Sequence, residues 1–210
     1  SRTTSAITTS SYSSEVSSES SSIFPSEPIN EITTLDFFNI NDFHGSLAYN
    51  TDNDEPGINR LAGYFNEKRS ANPQGTIITS SGDMWQGSAD SNITKGRLVT
   101  DAMNLIGFDA VAIGNHEFDW GTDYIRINRD RADFPFLGAN IIERASGEVA
   151  DFAESYTLIE RQGVRIGIIG TIGAYLESSI MPSMVEDYDF EDITNHVINA
   201  ADELDSLGAH

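Results

Sequence analysis

The sequence predicts an α/β domain whose strands run parallel, with helices crossing over between them. Three observations predict it. Short apolar, β-rich runs recur at residues 33–40, 76–79 and 110–113, each the length of a buried strand. Between them lie two stretches with apolar residues at helical spacing, so strand and helix alternate. Each strand run also gives way to a polar cluster: Asp42-Phe43-His44, Gly82-Asp83, and Gly114-Asn115-His116-Glu117-Phe118-Asp119-Trp120-Gly121. Open α/β sheets place chemistry beyond the carboxyl ends of their strands, so three such exits can converge on one site.

Residues 1–22 hold fifteen Ser or Thr and almost nothing to bury. Residues 1–30 therefore read as a Ser/Thr-rich disordered tether, with Pro25 and Pro28 leading into the fold. The domain proper is 31–210, and its first strand covers residues 33–40. Ile58, Leu61, Ala62 and Phe65 then share one face of a helix that Asn72-Pro73-Gln74-Gly75 stops. Residues 76–79 make the second strand. Leu98, Ala102, Leu105 and Ile106 mark a second helix ended by Gly107, and residues 110–113 form the third strand. Past the long motif, residues 156–160 and 164–169 flank Arg161-Gln162-Gly163 as a hairpin. Ile193, Val197, Ala200, Ala201 and Leu204 line a last helix that Gly208 would cap. A further strand is expected there, so the sheet reads as unfinished and the domain as truncated at its C-terminus.

Length allows one domain with a sizeable core. The net charge is -21, and residues 31–210 carry 30 acidic groups against 11 basic ones. That excess argues against a nucleic-acid or anionic-membrane partner, both of which need a basic footprint. A phosphate substrate would need local positive charge, which divalent cations supply where basic side chains are few. There is no cysteine, which excludes disulfides, thiolate metal sites and a cysteine nucleophile. No apolar run approaches the roughly 18 residues of a membrane span. A Ser-rich lead without an initiating Met fits an exported protein whose signal is not visible, so an extracytoplasmic location is expected.

Asp42 and His44, two apart on an extended segment, would point the same way and reach one cation. An Asp with a His suits Zn²⁺, Mn²⁺ or Fe better than Ca²⁺. Asp83 could bridge two metals with its two oxygens, Asn115 offers a neutral carbonyl oxygen, and Asp119 stands where it can orient and charge His116. Each also has an ordinary reading: a surface Asp-x-His, a turn or helix-cap Asp, a loop Asn, a satisfied buried His. The three clusters in this order, each at a strand end, favour the chemical one.

Asn41-Asp42-Phe43-His44-Gly45, Ser81-Gly82-Asp83-Met84-Trp85-Gln86-Gly87-Ser88 and the Gly114–Gly121 motif resemble three blocks of the calcineurin-like metallophosphoesterases. Within them the likeness is to the 5′-nucleotidase/2′,3′-cyclic phosphodiesterase branch, and it runs from about Leu35 to the chain end. The resemblance implies a four-layer α-β-β-α sandwich with two divalent metal ions (Zn, Mn, Mg or Fe) at the sheet tops. It implies Asp42 and His44 on the first metal, Asp83 bridging, and Asn115 on the second metal and touching phosphate. It also implies that His116, oriented by Asp119, binds substrate and donates to phosphate oxygens. The implied activity is 5′-nucleotidase-type release of phosphate from nucleotides by a metal-activated water.

The departure lies late in the chain. The family completes its metal shells with further histidines, including a Gly-His-x-His motif, and grips the nucleoside with a separate C-terminal domain. Here the histidines are His44, His116, His196 and His210, the last two with no matching motif. These 210 residues alone are therefore expected to bind metal weakly and hydrolyse little. The alternatives are a cyclic-nucleotide or nucleotide-sugar phosphodiesterase or a sulfate-ester thiohydrolase of the same fold, or a non-catalytic binding module. Trp85 and Trp120 read as packing residues, Asn92-Ile93-Thr94 as a chance glycosylation pattern, and Asp52, Asp54 and Glu55 as a solvated loop.

Overall fold

The computed structural model describes residues 8–16 and 31–209. Strand β1 (Thr8–Val16) precedes β2 (Glu31–Ile40), and α1 (Gly57–Ala71) leads to β3 (Thr76–Ser80). Then follow α2 (Ala89–Thr94), α3 (Arg97–Ile106), β4 (Ala110–Ala112), α4 (Thr122–Arg131) and β5 (Phe136–Leu137). The rest comprises β6 (Ile141–Glu143), β7 (Tyr156–Arg161), β8 (Val164–Ile169), β9 (Tyr188–Phe190) and α5 (Ile193–Ser206).

The main sheet has the order β1-β2-β3-β4-β5. Strands β2 to β5 run parallel, with Ile40 beside Ser80 and Ser80 beside Val111. Consecutive parallel strands thus end side by side, as the alternation of strand and helix predicts. Inside the segment read as a tether, Thr8–Val16 pairs antiparallel with β2. The remainder of that segment, and His210, lie outside the described residues.

Side-chain alternation in β2 and β3 feeds two cores. Phe38, Ile40 and Ile78 face Leu61 and Phe65 of α1 and Val99, Met103 and Ile106 of α3 in the larger one. Leu35, Phe37 and Ile77 face Ile159, Val164, Ile166 and Ile168 of the β7–β8 hairpin on the other side. Full burial of an aromatic ring such as Phe65, 0% exposed, stabilises by about 1.5–3 kcal/mol. The hairpin turns through Gln162 and Gly163, both at positive φ (51° and 78°), which suits the right-handed twist of its strands. Helix α5 lies on the hairpin's outer face, where a Cβ on Gly167 would stand 2.6 Å from a Leu204 methyl and force that side chain to shift. The layers are therefore helix, sheet, sheet, helix.

Of the apolar residues that mark α3 in the sequence only Ile106 is buried: Leu98 and Leu105 are 44% and 88% exposed, and the buried face is Val99, Thr100, Met103 and Ile106. Residues 98/102/105 and 99/103/106 are both spaced i, i+4, i+7. Spacing alone does not choose between adjacent ridges of one helix, and the sheet above decides.

Candidate metal centre

The exits of β2, β3 and β4 are tied together by backbone. Asp42 N–H donates to the Gly82 carbonyl (3.2 Å), His44 N–H to that of Asp83 (3.0 Å), and Gly45 N–H to that of Met84 (2.8 Å). This ladder continues the sheet past its formal end. The third exit touches the second so closely that a Cβ on Gly82 would stand 2.5 Å from the Gly114 nitrogen. Both positions need glycine for that approach, and Gly82 also has φ 99°.

Asp42, His44 and Asp83 all sit in the left-handed region, at φ 53°, 50° and 56°. That conformation costs a non-glycine residue on the order of 1 kcal/mol or more, and such outliers gather at functional sites. It also corrects the geometry expected of Asp42-x-His44. The two side chains are neighbours, with His44 Nε2 3.7 Å from Asp42 Oδ1, but across a left-handed turn rather than along an extended strand. Phe43 between them drops into the core at 5% exposure, and that anchor sets the turn.

The structure brings His44, Asp83 and His116 together: one potential ligand atom from each lies within 4.8 Å of the others. The two imidazole rings meet edge to face, 5.1 Å between centroids. His44 Nδ1 lies 2.8 Å from the Gln86 carbonyl, which can only accept, so Nδ1 carries a hydrogen and Nε2 is the nitrogen turned to the cluster. His116 Nδ1 is held 2.8 Å from Asp119 Oδ2, which leaves its Nε2 for the cluster. Burial lowers the His116 pKa, but the Asp119 hydrogen bond and the charges of Asp83, Asp119 and Glu117 outweigh it and raise the value on balance. Asp83 spends Oδ1 on the His116 N–H (2.9 Å), leaving Oδ2. Asp42 stands beside this group, its Oδ2 taking the Asn41 amide, and is not one of the three clustered residues. Asn115 is half-buried, next to Gly114, and its backbone carbonyl accepts the Phe118 N–H (3.2 Å) of the 3₁₀ turn His116–Phe118.

His44, its ring held through Nδ1 by the Gln86 carbonyl, and the half-buried Asp83 carboxylate are donors that fit a divalent transition-metal ion, and such fixing from behind is what metal-ligating histidines require. His116, held through Nδ1 by Asp119, stands beside them with its Nε2 turned to the same place. No single residue in the sequence announces this.

Sequence reasoning missed Glu117. Only 1% exposed, its carboxylate accepts the N–H groups of Asp83, Met84 and Gly114, each at 2.8 Å. Burial, with the Asp83 charge beside it, pushes its carboxyl up to about 7 against the pull of those three bonds. A Glu between His116 and Phe118 looks like any loop acid, and the sole hint was its place among the glycine-flanked exits. Gln86 also escaped notice, because it acts through its carbonyl. Of the lesser residues, Trp85 is a packing residue, 2% exposed and tilted against Phe136. Trp120 is half-buried under the Lys95 ammonium, 5.1 Å from its ring. Asn92 braces the Gly87 backbone, accepting from its N–H (3.1 Å) and donating to its carbonyl (3.2 Å). His196 of the last helix pairs with Glu191, which precedes that helix (2.8 Å).

Known proteins resemble the chain in sequence and in fold. No family model matches it. The endonuclease YhcR of Bacillus subtilis is 31% identical over 85% of this chain and 16% of its own length. A 5′-nucleotidase of Vibrio vulnificus is 30% identical over 75% of this chain and 29% of its own. Among solved structures, a 5′-nucleotidase precursor from Thermus thermophilus superposes with TM-score 0.72 at 25% identity, covering 84% of this chain and 36% of that one. The chain thus spans under a third of the length of both curated relatives. With three strand exits carrying the expected residues and a fold shared with these enzymes, the chain belongs to the calcineurin-like metallophosphoesterases, in the 5′-nucleotidase branch.

Proposed function

We propose that the protein carrying this chain is a metal-dependent phosphoester hydrolase of the 5′-nucleotidase type, acting on nucleotides at a dinuclear site. The observation that carries the reading is the convergence of His44, Asp83 and His116 within 4.8 Å, with both imidazoles fixed from behind. In this reading Asp42, His44, Asp83 and Asn115 are the residues that would hold the divalent cations, with Asp83 common to both. Cations held there would supply neutralisation of the phosphate charge and a more acidic water as the source of the nucleophile.

The chain's own groups do the rest. Asp119 keeps the His116 Nδ1 hydrogen in place and favours the charged ring. A protonated His116 presents Nε2–H to a phosphate oxygen and supports negative charge as it develops on the phosphoryl group or leaving oxygen. Asn115 and His116 are the residues that would touch the substrate phosphate. The tight ladder between exits keeps these groups at fixed separations, so little reorganisation is needed when substrate arrives.

The Bacillus relative's name raises nuclease activity as a second reading. The net charge of -21 favours small nucleotides over a polyanion. The nucleoside would be gripped by a separate domain of the whole protein. An extracytoplasmic site of action fits the Ser-rich lead, and no described helix is long and apolar enough to cross a membrane.

Phosphate release from 5′-nucleotides by the whole protein decides the matter. Activity should fall to background on chelation and return with Mn²⁺, with no comparable cleavage of DNA. Hydrolysis indifferent to chelator, or none with any divalent cation, would refute the reading.

A further inference from the structure

We infer that Glu117 is a positioning residue: its buried carboxylate clamps the β3 and β4 exits together and so fixes Asp83 for the cation. Oε2 accepts both the Asp83 and the Gly114 N–H groups, and Oε1 accepts that of Met84, all at 2.8 Å. One side chain therefore joins two loops that meet beside the sheet.

The clamp is reciprocal. The residue preceding Glu117 returns a bond, with the His116 N–H donating to Asp83 Oδ1 at 2.9 Å. Asp83 is thus held at its amide by Glu117 and at its side chain by His116, both from the one turn His116–Phe118. With Oδ1 engaged, its rotation is fixed and Oδ2 faces the remaining direction. This holds Asp83 at φ 56°, a conformation that needs its surroundings to impose it.

Solvent does not compete. Glu117 is 1% exposed and neighbouring Phe118 0%, the latter packed edge-on against Phe152 and Phe190 at 6.1 and 5.4 Å. The anchoring phenyl ring sets the depth of the turn, and that depth delivers the carboxylate to all three amides. Without the carboxylate three N–H groups in a closed corner lose their acceptor, and each such loss is costly. The local remedy is to let the loops part and admit water, which displaces Asp83.

The inference rests on the proposed metal site for its consequence, but not for its geometry, and the test separates the two. Glu117→Gln keeps volume and length while replacing one accepting oxygen with an NH₂ that faces a donor. Glu117→Ala removes the acceptor altogether. In metal-free whole protein, amide hydrogen exchange at Asp83, Met84 and Gly114 should be slow in the wild type. In Glu117→Gln it should quicken by about tenfold or more, with core strands still protected. The Mn²⁺ dissociation constant of the folded variant should rise about 10–100-fold, the range found when groups that orient ligands are lost. Glu117→Ala should show the same in larger measure, and if it does not fold, Glu117→Gln alone decides.

Unchanged exchange at those amides, or Mn²⁺ affinity within twofold of wild type in folded Glu117→Gln, would overturn the inference and leave Glu117 a packing residue. A wild-type protein that takes up no Mn²⁺ would instead refute the proposed function, while the exchange result still decides whether Glu117 holds Asp83.

Discussion

Replacing His116 by alanine should lower turnover by about 10²–10³-fold while changing KM little, the expected cost of removing a preorganised donor aimed at developing charge. The size follows from the surroundings. His116 Nδ1 is committed to Asp119 at 2.8 Å and the ring is wedged edge-on against His44, so Nε2 is already aimed and loses little freedom in the reaction. Alanine leaves a hole that water fills with an unoriented donor. The fold should survive, because the ring is half-buried and the turn is anchored by Phe118 instead. Steady-state kinetics, with bound metal measured on the same samples, check this. Turnover within threefold of wild type would remove His116 from the reaction, and metal lost in step with turnover would make it a ligand instead.

Asp83→Asn should weaken Mn²⁺ binding by more than about a hundredfold, beyond the range seen when merely supporting groups are lost, and abolish measurable phosphate release. Asparagine isolates the charge. Asn tolerates the left-handed backbone as Asp does, so φ 56° is retained without new strain. Its carbonyl oxygen can still accept the His116 N–H, so the turn stays in place. What disappears is the negative oxygen facing the cation. A metal titration followed by thermal unfolding distinguishes the cases: intact folding with lost binding supports the assignment, and binding within tenfold of wild type would show that Asp83 is not shared between metals.

How much of this was written in the letters varies by element. The parallel core was legible, because the runs at 33–40, 76–79 and 110–113 are short, apolar and followed by polar clusters. The helix containing Leu61 and Phe65 was equally plain, since its apolar spacing admits one face. Helix α3 was legible in existence but not in orientation: two adjacent ridges share the same spacing, and only the sheet distinguishes Met103 from Leu105. The strands β5, β6 and β9 are two or three residues long, below the length at which periodicity carries information. At the site, side chains that act by chemical type were nameable from the motifs, as with Asp83 and His116. Contributions made through backbone were not. The Gln86 carbonyl that sets the His44 tautomer is one case, and the amides gathered on Glu117 are another. Those depend on chain path, to which residue type is nearly blind.

The account stands on one spatial claim, that the ends of three parallel strands enclose a place for divalent ions. Crystals of the whole protein soaked in Mn²⁺ and measured across the manganese absorption edge report on it without reference to substrate. Anomalous density should lie against Asp83 Oδ2 and His44 Nε2, with a second peak toward Asn115. Density that avoids Asp83 altogether, in crystals that bind manganese elsewhere, would contradict it.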